Sequence, residues 1–417
     1  MTLDPVHLDG IVDLAARISP GVDETDHREF ADTVWEDFLD PLRQGGTDVI
    51  EPVGEQRRGR VDAESVALAE DPFPTRHGLD SGTINPTTFK NGVVLDVAQA
   101  AMSAVPSELE LHRARTVVAT VHANDVTVQV GDDDWLMDDD GYARKRILQA
   151  PRVDRFEQHV VHVLSLYLAE SQHALTQAEV VDDLLVLDGP LYPKGLLEWK
   201  GRDSRLEDLL AEDTRPRDVA ANYLRLIERF VEREVPLIGF VKSPTTRTIT
   251  RAVRSNTGNA PWVNDTALFK QVLERRADGE RLTDELTFTN WFVSRGGPDR
   301  VFSTAGDALG LDRKLGPGAY ETAFFAVYDP RIDLLFRVET PFAFARDPDL
   351  RERIRRQVLK GVALNRGPPE SVAKADELAR ISREEKATLQ DALERTLDSD
   401  REREYDEERW GIEAAEY

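Results

Sequence analysis

The chain contains no cysteine. Disulfides, thiolate metal sites and cysteine nucleophiles are excluded with it. Any metal must be held by carboxylates, carbonyls or one of the 8 histidines. Carboxylate-rich sites favour hard ions such as Mg or Mn. Long apolar runs are missing too, so no segment reads as a membrane span of about eighteen or more residues. The amino terminus, MTLDPVHLDG, lacks the basic-then-apolar pattern of a secretory leader, and a cytoplasmic setting is expected. Lysine is scarce: by count ten of the 53 basic residues, the other 43 being arginine. Against 78 acidic residues this leaves a net charge of −25. Such a composition points to a high-salt cytoplasm, as in haloarchaea, where the Debye length falls to about 3 Å and self-repulsion is mild. The alternative is an ordinary acidic protein. The charge does not exclude a nucleic-acid partner, but it demands a local basic patch.

What is present is a chain of 417 residues with 40% apolar side chains, enough for one large core or two modest ones. Apolar spacing predicts two amphipathic helices within 5–42, marked by Leu8, Ile11, Val12 and Leu14 and by Phe30, Val34, Phe38 and Leu42. Gln56 to Arg60 reads as a loop or a basic arm. From 76 to 130 the pattern changes to β-like runs: Arg76–Asp80, Gly92–Ala104, Arg115–Val121 and the alternating Val126–Val130. Acidic loops follow at 131–134 and 138–141. A long helix is predicted over about 153–175, a buried strand at Leu184–Leu187, a helix over about 216–233, and a second buried strand at 236–241. Thr322–Val327 and Leu334–Thr340 read as a β pair. Helices are expected at 348–363, 370–381 and 383–396. Residues 264–316 are not placed by their pattern. Strand meander, helix, strand, helix, strand is the order of an RNase H-like sheet, in which helical crossovers join the parallel strands.

Hydrolysis of a phosphodiester by metal ions needs several carboxylates within a few ångströms. Asp80 closes the first β run, in Leu79-Asp80-Ser81-Gly82, and Asp188 closes the run at 184–187, in Leu187-Asp188-Gly189. The carboxyl ends of strands are where open α/β sheets bind ligands. Either motif alone is as well explained by turn chemistry. A third carboxylate is expected from the long helix. The lengths of helix and strand favour Glu157 near the helix start, with Glu170 in reserve. The plain reading of Glu157 is an exposed first-turn residue suited to the helix dipole. Lys242 follows the second buried strand and is either a phosphate contact or a solvated side chain. Arg247, Arg251 and Arg254 follow it as DNA-binding candidates, with Arg351, Arg353, Arg355 and Arg356 as a second group; surface ion pairing explains either cluster equally well.

Five segments in order resemble NurA nucleases: LDSG at 79–82, LLVLDGPL at 184–191, LIGFVK at 237–242, FRVETP at 336–341 and GPPESVAKADELARI at 367–381. The resemblance spans about residues 74–395. It implies an α/β fold with an RNase H-like mixed sheet flanked by helices, with N- and C-terminal helical extensions. The division implied is an extension over 1–73, a nuclease domain over 74–395 with its core about 74–245, and a charged tail over 396–417. It implies a manganese-dependent 5′–3′ exonuclease and single-strand endonuclease that uses Mn (or Mg), two ions. It further implies a homodimer that docks on the hexameric HerA translocase to resect broken DNA ends in double-strand break repair.

Carried over by position, Asp80 and Asp188 match the strand aspartates and Glu157 the helix glutamate. Two departures stand out. The usual Asp-Gly-Ser is Asp80-Ser81-Gly82 here. A family histidine is replaced by Asp376, with Pro368 where a tyrosine often stands. Asp376 is either a substitute ligand for a hard cation or a helix-surface residue. Two other readings stay open: a catalytically silent adaptor that binds DNA or the translocase, and a hydrolase with an aspartate nucleophile.

Overall fold

The computed structural model describes residues 5–17, 24–125, 127–131, 134–153 and 155–403. Its centre is built from five strands and two helices: β1 (Arg76–Thr83), β2 (Val93–Val105), β3 (Arg115–Ala123), α1 (Glu157–Thr176), β4 (Leu185–Asp188), α2 (Thr214–Glu232) and β5 (Leu237–Val241). In space the strands run β5-β4-β1-β2-β3. β1 pairs antiparallel with β2, and β2 with β3. β4 lies parallel to both β1 and β5. A parallel pair cannot be closed by a tight turn, so α2 makes the crossover from β4 to β5. β4 is a continuous apolar run because both of its faces are covered; Leu185, Val186 and Leu187 are all buried. This is the expected RNase H-like arrangement.

The sheet continues beyond β5. β6 (Thr322–Asp329) and β7 (Leu334–Pro341) form the expected hairpin, with β7 antiparallel to β5. Beyond them stand Phe292–Ser294 and Thr47–Pro52. On one face α1 and α2 enclose a core with Leu79, Leu164, Leu187 and Phe230. On the other, α3 (Pro348–Asn365) and α4 (Glu370–Ala379) cover Val186, Ile238, Phe336 and Val372. Asp213 caps α2 by accepting from the Arg215 N–H, and Asp347 caps α3 by accepting from the Asp349 and Leu350 N–H groups.

Several expectations differ from the structure. Residues 127–130 form a turn and irregular chain rather than a strand, Val126 lying outside the described residues. The unexpected strand Ala143–Gln149 pairs parallel with β3 instead. The basic stretch at 56–60 is no free arm: Arg58–Asp62 is a strand paired with Glu285–Thr289. The first 73 residues therefore hold helices and also strands that join the sheet. Helix Glu24–Phe38 buries Ala31, Val34 and Trp35 in the core, whereas helix Pro5–Ala15 leaves Leu8, Ile11, Val12 and Leu14 exposed. Most of the charged tail, 404–417, and Asp132 and Asp133 of the acidic loop lie outside the described residues.

Candidate active site

The pairing register fixes the two strand aspartates. Leu79 of β1 is aligned with Leu187 of β4, so Asp80 and Asp188, one residue on in each strand, stand level. Side chains alternate across a strand. Leu79 and Leu187 enter the core under α1, while Val186 enters the one under α4. Asp80 and Asp188 therefore face the α4 side.

Two glycines let α4 reach them. A Cβ on Gly78 would lie 2.1 Å from the Ser371 carbonyl oxygen, and one on Gly82 would lie 2.3 Å from that of Ala379. Both positions share the face of Asp80, so the backbone of α4 lies directly on β1. This accounts for the departure from Asp-Gly-Ser: here the glycine is needed at 82, beneath the helix. The close approach carries Asp376 to the strand ends. Asp80, Asp188 and Asp376 each offer a carboxylate oxygen, and these lie within 4.8 Å of one another.

Three carboxylates so close repel one another. Burial and the charge of Asp188 push the Asp80 carboxyl up to about 8. Burial also raises Asp188, against the pull of Lys242. Lys242, at the end of β5, donates from Nζ to Asp188 Oδ2 at 2.5 Å. Burial works against its charge, but the contact with Asp188 outweighs this and raises its pKa. Asp376 is partly exposed and also accepts from Arg380 at 2.7 Å. An all-oxygen donor set of this kind fits a hard divalent cation.

Glu157 does not join this cluster; the helix residue beside it is Glu170. Its Oε1 accepts from the Ser81 hydroxyl at 2.6 Å and its Oε2 from Tyr223 at 3.1 Å. Burial is the main cause that brings its pKa up to about 7. Glu170 and Asp188 both line a cavity of 130 Å³. The expectation for Glu157 is corrected by the true length of β4. Counted from residue 182 the strand spans about 20 Å, but from Leu185 it spans only about 10 Å. From Glu170 to the end of α1 at Thr176 is about 9 Å, which matches, whereas Glu157 lies about 20 Å further along the helix. Ser81 faces α1, so Glu170 reaches the strand ends from the side opposite Asp376.

Sequence reasoning also missed Glu339, inside the FRVETP segment. It is fully buried on β7 and accepts from the Leu191 N–H at 3.0 Å, which fixes the loop that follows Asp188. Lys194 at 2.5 Å and Arg337 at 2.6 Å pair with its other oxygen. Despite its burial, these two cations bring its pKa down to about 2. Only the charge pattern of FRVETP hinted at such a role. Of the arginine candidates, Arg254 donates to the Ala260 carbonyl beyond its own helix. Arg351 and Arg353 donate to backbone carbonyls, and Arg355 pairs with Glu352. Arg247 and Arg251 are exposed and form no such contact among the described residues.

An RNase H-like sheet that gathers three aspartate oxygens beside its parallel strands defines an α/β protein able to hold a divalent cation there. The family model described as NurA domain matches residues 74–381. The chain belongs to the NurA family. Among solved structures, the NurA nuclease from Sulfolobus solfataricus matches with a TM-score of 0.50 at 12% identity, over 95% of this chain and 98% of that one. A NurA bound to dAMP and manganese matches with a TM-score of 0.47 at 12% identity, over 94% and 97% of the two chains. No curated protein matches the sequence significantly.

Proposed function

We propose that this chain is a metal-dependent deoxyribonuclease that cleaves phosphodiester bonds with manganese or magnesium. The observation that carries this reading is the set of three aspartate oxygens, from Asp80, Asp188 and Asp376, within 4.8 Å of one another. Those three side chains would hold the cation. Bound between such carboxylates, a divalent ion supplies a water of lowered pKa and charge compensation at the phosphate. The cluster's own repulsion gives it a reason to take up positive charge. Lys242 favours the charged form of Asp188 against burial, and its partly exposed ammonium is placed to meet a phosphate oxygen as charge develops there. Glu170, anchored by Ser81 and Tyr223, is a candidate for holding or moving a proton at the strand ends. The all-oxygen site suits manganese and magnesium alike, so both ions belong in the test.

The wider role follows the family resemblance: 5′–3′ digestion and single-strand cutting in the resection of broken ends, by a homodimer fed by a HerA-type translocase. Labelled DNA incubated with the chain and manganese in multimolar KCl is expected to be digested, and Asp80→Asn and Asp188→Asn each to abolish digestion. Equal digestion by wild type and both variants would sink the assignment. Wild-type inactivity with every divalent ion, with and without the translocase and ATP, would favour the silent adaptor.

A further inference from the structure

Asp188 is the last residue of β4, and the chain turns at once after it, with Gly189 at φ +131°. The loop then lies flat across β5. A Cβ on Gly239 would stand 2.6 Å from the Leu191 nitrogen and 2.7 Å from the Gly189 carbonyl oxygen. Leu187 is aligned with Gly239, and Gly239 with Glu339 of β7. Residues level across neighbouring strands share a face, so Glu339 points to the side that the loop covers. The space left open at Gly239 lets its carboxylate reach the loop. There Oε2 accepts from the Leu191 N–H at 3.0 Å.

Glu339 is also one corner of a closed ring of ion pairs. Its Oε1 takes Lys194 at 2.5 Å and Arg337 at 2.6 Å. Asp299 takes the same two cations from the other side, Lys194 at 3.1 Å and Arg337 at 3.0 Å. No side chain of the ring is more than 12% exposed. The Ser294 hydroxyl donates to Asp299 at 2.6 Å. Two positive and two negative charges leave the ring neutral. A buried ion network of this kind gains little over apolar packing of the same volume, because desolvation offsets attraction. What it supplies is direction, since each carboxylate is held between two cations. The group that Glu339 directs is the N–H of Leu191, three residues after Asp188.

We propose that Glu339 is a positioning residue for the reaction: by tethering the loop that follows, it sets where Asp188 presents its carboxylate to a cation. The proposal rests on the reading that Asp188 holds a cation. It adds a residue two strands away that acts through the backbone. The tether needs both the charge and the length of a glutamate. A glutamine offers one acceptor oxygen, for Leu191 or for the cations, and turns its NH2 towards the donors that remain. An aspartate keeps the ring neutral but is one methylene too short to meet Leu191 and both cations together.

The experiment uses the full chain with manganese as the probe and no DNA, at a KCl concentration where melting shows each variant folded. Calorimetry gives the manganese affinity. Amide hydrogen exchange in EDTA gives the protection of the Leu191 N–H. Glu339→Gln and Glu339→Asp are each expected to weaken manganese binding about tenfold, as when a group that orients a metal ligand is removed, and to speed exchange at Leu191. Ser294→Ala loosens the ring at Asp299 without touching the loop and is the control for a merely structural role. It is expected to lower the melting temperature and leave the affinity unchanged. If Glu339→Gln does not fold, Glu339→Asp decides alone, because it leaves no buried charge unpaired. Unchanged affinity in a folded Glu339 variant, or an equal loss in Ser294→Ala, overturns the proposal. With no DNA present, the outcome is separate from cutting. Weakened manganese binding in variants of a chain that never cuts would leave the positioning role standing and remove the nuclease reading; normal cutting by the wild type with unchanged affinity in the variants would do the reverse.

Discussion

Asp80 meets two conflicting demands in the metal-free chain. The fold places it against Asp188 and Asp376, and burial together with the charge of Asp188 raises its carboxyl to about 8. The folded chain then holds its proton more tightly than the unfolded chain. That contribution to stability is complete below the ordinary carboxylate range near about pH 4 and is lost as pH rises through about 8. Denaturation in EDTA is therefore expected to show stability falling across this window. Asp80→Asn should flatten the fall and stabilise the metal-free protein at about pH 8 by on the order of 1–3 kcal/mol. A variant with the wild-type pH profile would show that Asp80 is not under this strain. The two helix glutamates make a sharper pair. Glu170→Ala strands the Ser81 and Tyr223 hydroxyls that it now satisfies, a cost of about 1–3 kcal/mol. Glu157→Ala should stay within about 0.5 kcal/mol. Urea midpoints decide between them, and equal effects would contradict the register of α1.

At the scale of elements, the site depends on one helix lying unusually close to one strand. Gly78 and Gly82 are the reason α4 delivers Asp376. Gly78→Ala would drive a methyl group to 2.1 Å from the Ser371 carbonyl, and backbone cannot swing aside as a long side chain can. A loss of about 1–3 kcal/mol is expected, as for overpacked cores. Manganese affinity by calorimetry should weaken at the same time, because α4 must lift. Loss of stability with unchanged affinity would mean that Asp376 contributes nothing to the ion. The β7 strand has a comparable role from the other side: Glu339 ties the loop after Asp188 to a buried pair of cations.

Over the whole molecule, the net charge of −25 opposes compaction and repels a polyanion. Salt relieves the first effect by shortening the Debye length. Melting temperature is therefore expected to rise steeply with KCl, and a salt-independent melt would remove the reason for expecting a high-salt cytoplasm. The second effect calls for a local basic surface, and a two-fold dimer would double whatever surface one protomer offers. Light scattering in multimolar KCl is expected to give a dimer, and a strict monomer there would count against it. The exposed apolar face of helix Pro5–Ala15 is a surface on which such an assembly could draw.

The sequence alone determined the order of the central elements, β1 to β5 with α1 and α2, because buried strands are continuous apolar runs and helices show their stripe; it did not show the strands at 47–52, 58–62, 143–149, 285–289 and 292–294. It also determined Asp188 as the residue that closes β4 and Lys242 as the residue after β5; Asp80, expected to close the first run, lies inside β1, which continues to Thr83. These are local signals, readable within a few residues. Tertiary structure decided the rest. Which helix glutamate approaches the strand ends depended on where β4 begins, and a boundary error of three residues moved the answer from Glu170 to Glu157. Asp376 was ambiguous until Gly78 and Gly82 were seen to admit α4. The arginines at 202, 247, 251 and 300 are scattered in the chain and become one surface only where the segments after β4, after β5 and after the strand Phe292–Ser294 meet. Closeness between residues far apart in sequence is set by packing, and no pattern along the chain records it.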